Sequence, residues 1–222
     1  LVLFLSDNGA DSKGGINPSA DGFGFPRKQS GTWRKDGGVI KGGSGPNIMP
    51  GPADTFAGYG KAWARTSSAP FRSYKRSAYE GGIRAPLIAR WPKGIAEGGK
   101  LTDQPGHVMD FMATILDIAD IKYPKEFQGR KPVPMTGKSL APIFRGEQRE
   151  GHKFIAWSTQ EGRSIRMGDW KLVKPKKGEA DWELYNLKQD GGETKNLAAD
   201  NPDQVKKMST AYEAWKKQVG AK

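Results

Sequence analysis

The stretch LVLFLSDNGA, Leu1 to Ala10, opens with five consecutive apolar side chains and closes on a carboxylate, an amide and a glycine. A half-buried strand would alternate apolar and polar residues. An uninterrupted run of this length instead predicts a central strand buried on both faces, as in a parallel sheet covered by helices. In open α/β sheets, ligands gather beyond the carboxyl ends of the strands. Asp7 and Asn8 follow such a run, and they offer the oxygen ligands that hard cations such as Ca2+ or Mg2+ take. Asp-Asn-Gly is also ordinary turn chemistry. On these ten residues alone both readings stay open.

Beyond this run, residues 11–60 form a loop-rich stretch heavy in Gly, Pro and Ser and without stable periodicity. Unstructured segments this long inside a compact domain are usually lids or disordered, although Phe23 and Trp33 point to partial packing. Order is expected to return after Pro70. Gly81-Gly82 reads as a turn and Ile83 to Trp91 as a second buried strand closed by Pro92. Apolar residues at helical spacing from Val108 to Ala119 predict a helix over His107 to Ala119, and Ser139 to Phe144 reads as a short one. Strands and helices in this order argue α/β.

After His152 the texture changes. Phe154 to Trp157, Ser164 to Met167, Trp170 to Val173 and Trp182 to Tyr185 are short β-type runs between Gly- or Asp-bearing turns, which predicts an antiparallel meander. Asn201-Pro202 then opens a terminal helix whose apolar stripe is Val205, Met208, Tyr212 and Trp215. The expected division is 1–148 for the α/β part and 149–222 for a C-terminal subdomain, with the boundary near Gly146 to Gly151.

Composition narrows the function classes. The chain has 222 residues, 36% hydrophobic and 27% charged, too apolar for full disorder and without an apolar run near the roughly 20 residues that cross a bilayer. Its net charge of +12 makes a polyanion partner worth weighing, but the Lys and Arg residues are scattered, and the densest stretch, Lys171 to Lys177, is short and interrupted by Pro175. A soluble surface with a basic bias is the plainer reading, and no nucleic-acid partner is expected. With no Cys in the chain, disulfides, zinc–thiolate sites and a cysteine nucleophile are excluded within it. It opens inside an apolar run without Met or a leader pattern, so a longer protein is expected.

The second group of candidate residues lies in Pro70-Phe71-Arg72-Ser73-Tyr74-Lys75 and Tyr79-Glu80-Gly81-Gly82-Ile83-Arg84-Ala85-Pro86. A lysine near the mouth of a sheet can act as a point charge on a tetrahedral oxyanion, and paired glycines let backbone approach closely. A surface lysine beside a hairpin-like turn has the same spelling.

Order separates these readings. FLSDNGA, APFRSYKRSAYEGGIRAPLIARWP, HVMDFMATILDIADI and GRSIRMGDWKLV…WELYNLKQDGGETKNLA follow one another along the chain. This series resembles the second half of sulfatases, the formylglycine-dependent members of the alkaline phosphatase superfamily, and bacterial arylsulfatases above all. The resemblance covers nearly the whole chain, with residues 11–59 matched least. It implies the C-terminal part of a sandwich with a mixed sheet flanked by helices, followed by a small subdomain with a four-stranded antiparallel sheet and a terminal helix.

The resemblance also implies roles. Asp7 and Asn8 match two calcium ligands, and Lys75 matches the lysine that contacts the sulfate near its bridging oxygen. Gly81, Gly82, Arg84 and Pro86 match a block read as structural. His107 and Asp110 are read as cap and packing residues, Trp170, Trp182 and Tyr185 as core, and His152 as a surface histidine. The family has Pro where Gly191 or Gly192 stands, which implies a changed turn. Absent are the C-x-P-S-R type motif whose Cys becomes formylglycine, the early Asp pair of the calcium site, and the upstream Lys and His around the sulfate. The implied whole enzyme hydrolyses a sulfate ester, aryl sulfate or sulfated glycan, with calcium (Mg2+ as the alternative) and formylglycine. It is periplasmic or secreted and needs no membrane, and this chain alone is expected to be inactive. The alternatives are a phosphatase or phosphonate hydrolase of the same superfamily, or a non-catalytic basic polyanion-binding module.

Overall fold

The computed structural model describes residues 1–12, 41–43, 51–52, 55–58, 60–176 and 181–220. Most of the loop-rich stretch, Phe23 and Trp33 included, lies outside the described residues. Backbone packing groups Leu1–Leu5 with Pro86–Ile155 as one unit and Ser6–Ala85 with Ala156–Lys222 as another. No helix among the described residues is long and apolar enough to cross a membrane.

In the first unit, β1 (Val2–Leu5) pairs with β4 (Leu87–Arg90). The pairing is antiparallel, with Val2 opposite Arg90 and Leu5 opposite Leu87, which corrects the expected parallel strand. Burial is corrected too: Phe4 is 70% exposed and Ile88, directly across from it, 61%. A continuous apolar run fits a strand with both faces covered. This two-stranded sheet has no third strand among the described residues, so the run is there without the cover.

The predicted helix appears as α3 (Asp110–Ile118), but its sides are exchanged. Asp110, Ala113 and Thr114 are buried, while Val108, Met112 and Ile115 are exposed. The polar side is drawn inward by hydrogen bonds. Thr114 Oγ1 donates to Asp110 O at 2.7 Å and accepts the Leu140 N–H at 2.9 Å, holding the chain that enters α4 (Ala141–Phe144).

In the second unit, β2 (Lys41–Gly43) and β3 (Thr55–Ala57) form a short parallel pair. Then comes α1 (Gly60–Ser68), which the sequence reading did not anticipate. It has no apolar stripe of large residues, and only Ala64 and Ser68, one turn apart, are buried; alanine's helix propensity is its one local signal. The single turn α2 (Glu80–Ile83) occupies the expected Gly81-Gly82 turn. The meander forms as predicted: β5 (Ile155–Thr159), β6 (Gly162–Met167), β7 (Trp170–Pro175) and β8 (Glu183–Asn186), in that spatial order. Gly168, at φ 58°, supplies the left-handed residue of the tight β6–β7 turn.

The terminal helix α5 (Pro202–Val219) starts at the predicted Pro202. Asn201 precedes it without a side-chain cap, its Nδ2 donating instead to Leu197 O at 3.0 Å. Met208 and Tyr212 are fully buried, and the Tyr212 ring sits 5.6 Å from Trp182 and 5.5 Å from Trp215. Ile165, Leu172, Val173, Leu184 and Tyr185 complete this core. Trp170 and Trp182, expected in it, are half-buried.

Candidate functional site

Asp7, Asn8 and Lys75 all fall in the second unit, and backbone hydrogen bonds bring their segments side by side. The Gly9 N–H donates to Gly82 O at 3.0 Å and the Lys75 N–H to Ala10 O at 3.0 Å. The approach is close enough to require glycine. A Cβ on Gly9 would stand 1.8 Å from Gly81 O, and one on Gly82 2.3 Å from Ser77 O. Close approach is therefore why these glycines stand where they do.

Lys75 Nζ lies 3.3 Å from Asp11 Oδ2, with both side chains partly exposed. No spacing in the sequence marks Asp11 as the lysine's partner. Ser73 and Arg76, on either side of Lys75, have φ of 69° and 79°. Non-glycine residues there are uncommon and cost of order 1–3 kcal/mol each, and such positions cluster at functional sites.

Two polar clusters fasten the lysine segment to the meander. In the first, Arg72 Nη1 donates to Tyr185 Oη at 2.8 Å and to Glu193 O at 3.2 Å. Its guanidinium also lies 4.0 Å from the Tyr79 ring centre. Both tyrosine hydroxyls donate to Glu183 Oε2, at 2.6 Å from Tyr79 and 2.5 Å from Tyr185. Burial, then the bond to Glu183, pushes both phenols well above their ordinary range, so they stay protonated donors. In the second, Lys171 Nζ sits 2.8 Å from Glu80 Oε1 and 2.8 Å from Glu193 Oε1. Burial holds the Glu193 carboxyl above its ordinary value against the pull of Lys171.

Asp7 is exposed and Asn8 half-buried. Their oxygens suit a hard cation in kind but not in number, since Ca2+ takes six to eight. Among the described residues no group of three or more His, Cys, Asp or Glu side chains could hold a metal ion. These two residues therefore do not make a cation site by themselves.

The first unit holds a separate buried cluster. The Asp110 carboxylate, 0% exposed, accepts the N–H groups of His107 and Lys138, each at 2.9 Å. It also meets Arg149 Nη2 at 3.0 Å and His152 Nε2 at 2.6 Å. Asp110 is buried as expected, but neither it nor His107 caps the helix: the N-cap is Met109, without a side-chain cap bond. His152 is not the surface histidine expected: it is buried against Asp110. Forty-two residues separate the pair, so no local pattern announces it.

With the geometry in place, comparison with known proteins decides the family. A family model described as Sulfatase matches residues 1–121. One described as N-sulphoglucosamine sulphohydrolase, C-terminal, matches residues 72–218. The chain belongs to the sulfatase family. This sulfatase chain is 36% identical over 176 residues to an uncharacterised sulfatase of Schizosaccharomyces pombe, covering 77% of this chain and 31% of that protein. It is 33% identical over 151 residues to an arylsulfatase of Klebsiella aerogenes, covering 67% and 29%. It thus spans about a third of the length of such relatives. Among solved structures, PsFucS1 sulfatase from Pseudoalteromonas sp. superposes with a TM-score of 0.52 at 18% identity, over 97% of this chain and 37% of that one, a likeness of fold. The phosphatase and polyanion-binding alternatives are not favoured by these matches.

Proposed function

We propose that this chain forms part of the active site of a sulfuric ester hydrolase, within a protein about as long as its relatives. What carries the reading is the juxtaposition of Lys75 with the Asp7-to-Asp11 segment, through the Lys75 N–H to Ala10 O bond and the Lys75–Asp11 ion pair. The segment carrying the lysine thus runs beside the segment carrying two neighbouring hard-oxygen donors, Asp7 and Asn8, the combination that sulfate ester cleavage calls for.

When the S–O bond breaks, negative charge grows on the bridging oxygen as the alcohol or phenol leaves. The Lys75 ammonium donates a hydrogen bond to that oxygen, so the charge meets a fixed positive group rather than reorganising water. Asp11 holds the amine in place before substrate enters. A bound calcium ion would supply charge neutralisation at the sulfate oxygens; Asp7 and Asn8 would furnish two of its oxygen ligands, the others coming from outside the described residues. The nucleophile, formylglycine in the family reading, would also come from outside this chain, which contains no Cys. The substrate class is a sulfate ester, with an aryl or a sugar leaving group.

The test uses an aryl sulfate and a sulfated disaccharide. The 222-residue chain alone should turn over neither. A protein of the relatives' length carrying it should turn over at least one, and Lys75→Ala in it should lower kcat/KM about 100- to 1000-fold, the cost of losing one aimed charge donor. An unchanged rate in that variant would remove Lys75 from the mechanism.

A further inference from the structure

We propose that Lys171, on β7, is a positioning residue that sets the Lys75 and Asp7-Asn8 segments relative to each other by fixing α2. The proposal rests on the site reading above for its functional meaning, but not for its test.

Lys171, Glu80 and Glu193 form a triad whose side chains are 0%, 3% and 0% exposed. Glu80 is held three ways: its carboxylate meets the Lys171 ammonium at 2.8 Å and Arg84 Nη1 at 3.7 Å, and its N–H donates to Glu193 Oε2 at 2.6 Å. Buried ion pairs add little net stability over apolar packing, because desolvation offsets the attraction. What such a group does supply is direction, since its bonds are satisfied in one geometry only.

The direction is imposed on a junction. Glu80 is the first residue of α2, and the two glycines that follow hold both candidate segments. The Gly81 N–H donates to Arg72 O at 2.9 Å, three residues before Lys75, and Gly82 O accepts the Gly9 N–H at 3.0 Å, one residue after Asn8. There is no slack in either contact. A Cβ on Gly81 would come within 2.4 Å of Ser73 O, and one on Gly9 would overlap Gly81 O. A shift of α2 therefore moves both segments, and misplacement by about 1 Å at a reacting group costs on the order of 100-fold in rate. The meander, through one buried lysine, thus sets the spacing of the lysine and the oxygen donors.

Amide hydrogen exchange in the 222-residue chain reads this without substrate. Glu80→Gln cuts the charged tie to α2 while leaving Lys171 paired with Glu193. Glu193→Gln leaves the Lys171–Glu80 pair and keeps an acceptor for the Glu80 N–H. The Gly9 and Lys75 amides should exchange about 10-fold faster or more in Glu80→Gln and Lys171→Met, and less than about 2-fold faster in Glu193→Gln, while amides of the β6–β7 ladder hold their rates. Lys171→Arg should recover most of the protection. If the two amides are unaffected by Glu80→Gln, or speed up only together with the ladder, the triad is ordinary core and the proposal is overturned. If Lys171→Met does not fold, the Glu80→Gln and Glu193→Gln pair decides alone. Faster exchange in Glu80→Gln with no turnover of either sulfate ester by the longer protein would keep the positioning role and discard the sulfate-ester reading.

Discussion

Asp110 sits at the start of α3 with no solvent exposure and four donors around its carboxylate. Burial alone would raise its pKa. The N–H groups of Lys138 and His107, with His152 and Arg149, outweigh that and hold it below the ordinary 3.8. Its stabilising contribution is therefore complete above the unfolded-state value and lost as pH falls through the lower folded-state one. Acid unfolding followed by tryptophan fluorescence should show this component in the wild type and lose it in Asp110→Asn. Asp110→Ala leaves the buried Arg149 guanidinium without its counter-charge and should cost about 3–5 kcal/mol, measured by urea unfolding. At this scale Asp7, Asn8 and Lys75 stand out as candidates because they lie inside contiguous sequence blocks. Asp11, His152 and Lys171 do not, because each has a partner 42 residues or more away. Lys171 counted only as one more charge in a basic stretch.

Among the elements, β7 carries the most. Lys171, Leu172 and Val173 are consecutive and all 0% exposed, so this strand is covered on both faces and Leu172→Ala should cost about 2–5 kcal/mol. A fall in the denaturant midpoint with an unchanged slope would show it; a cost below about 1 kcal/mol would mean the site collapses around the loss. The meander and α5 were readable in advance because period-two runs between Gly turns, and a Pro at the first helical position, are local signals. For α3 the period was right and the buried side was not, since the inward pull comes from hydrogen bonds to residues 138 and 140. Helix α1, not anticipated, buries only the small residues Ala64 and Ser68 and has no stripe to read.

At the scale of the whole molecule, the apolar run Leu1 to Leu5 predicted cover that the described residues do not provide. Phe4 and Ile88 face each other across the β1–β4 pair, both largely exposed. Exposed paired apolar residues on a short sheet favour association. Light scattering should therefore find the chain associating at concentrations where Phe4→Lys with Ile88→Lys stays monomeric; equal scattering by both would show that this pair drives nothing. The sequence by itself determined the α/β class, the family and the meander with its terminal helix, because all of these are written in local periods and contiguous blocks. Only the tertiary structure decided that β1 runs antiparallel to β4, that Asp11 meets Lys75, and that a lysine of the meander anchors the turn between the two candidate segments. Those depend on which distant residues share a buried volume, and the energy of placing a charge there is set by the partners that surround it.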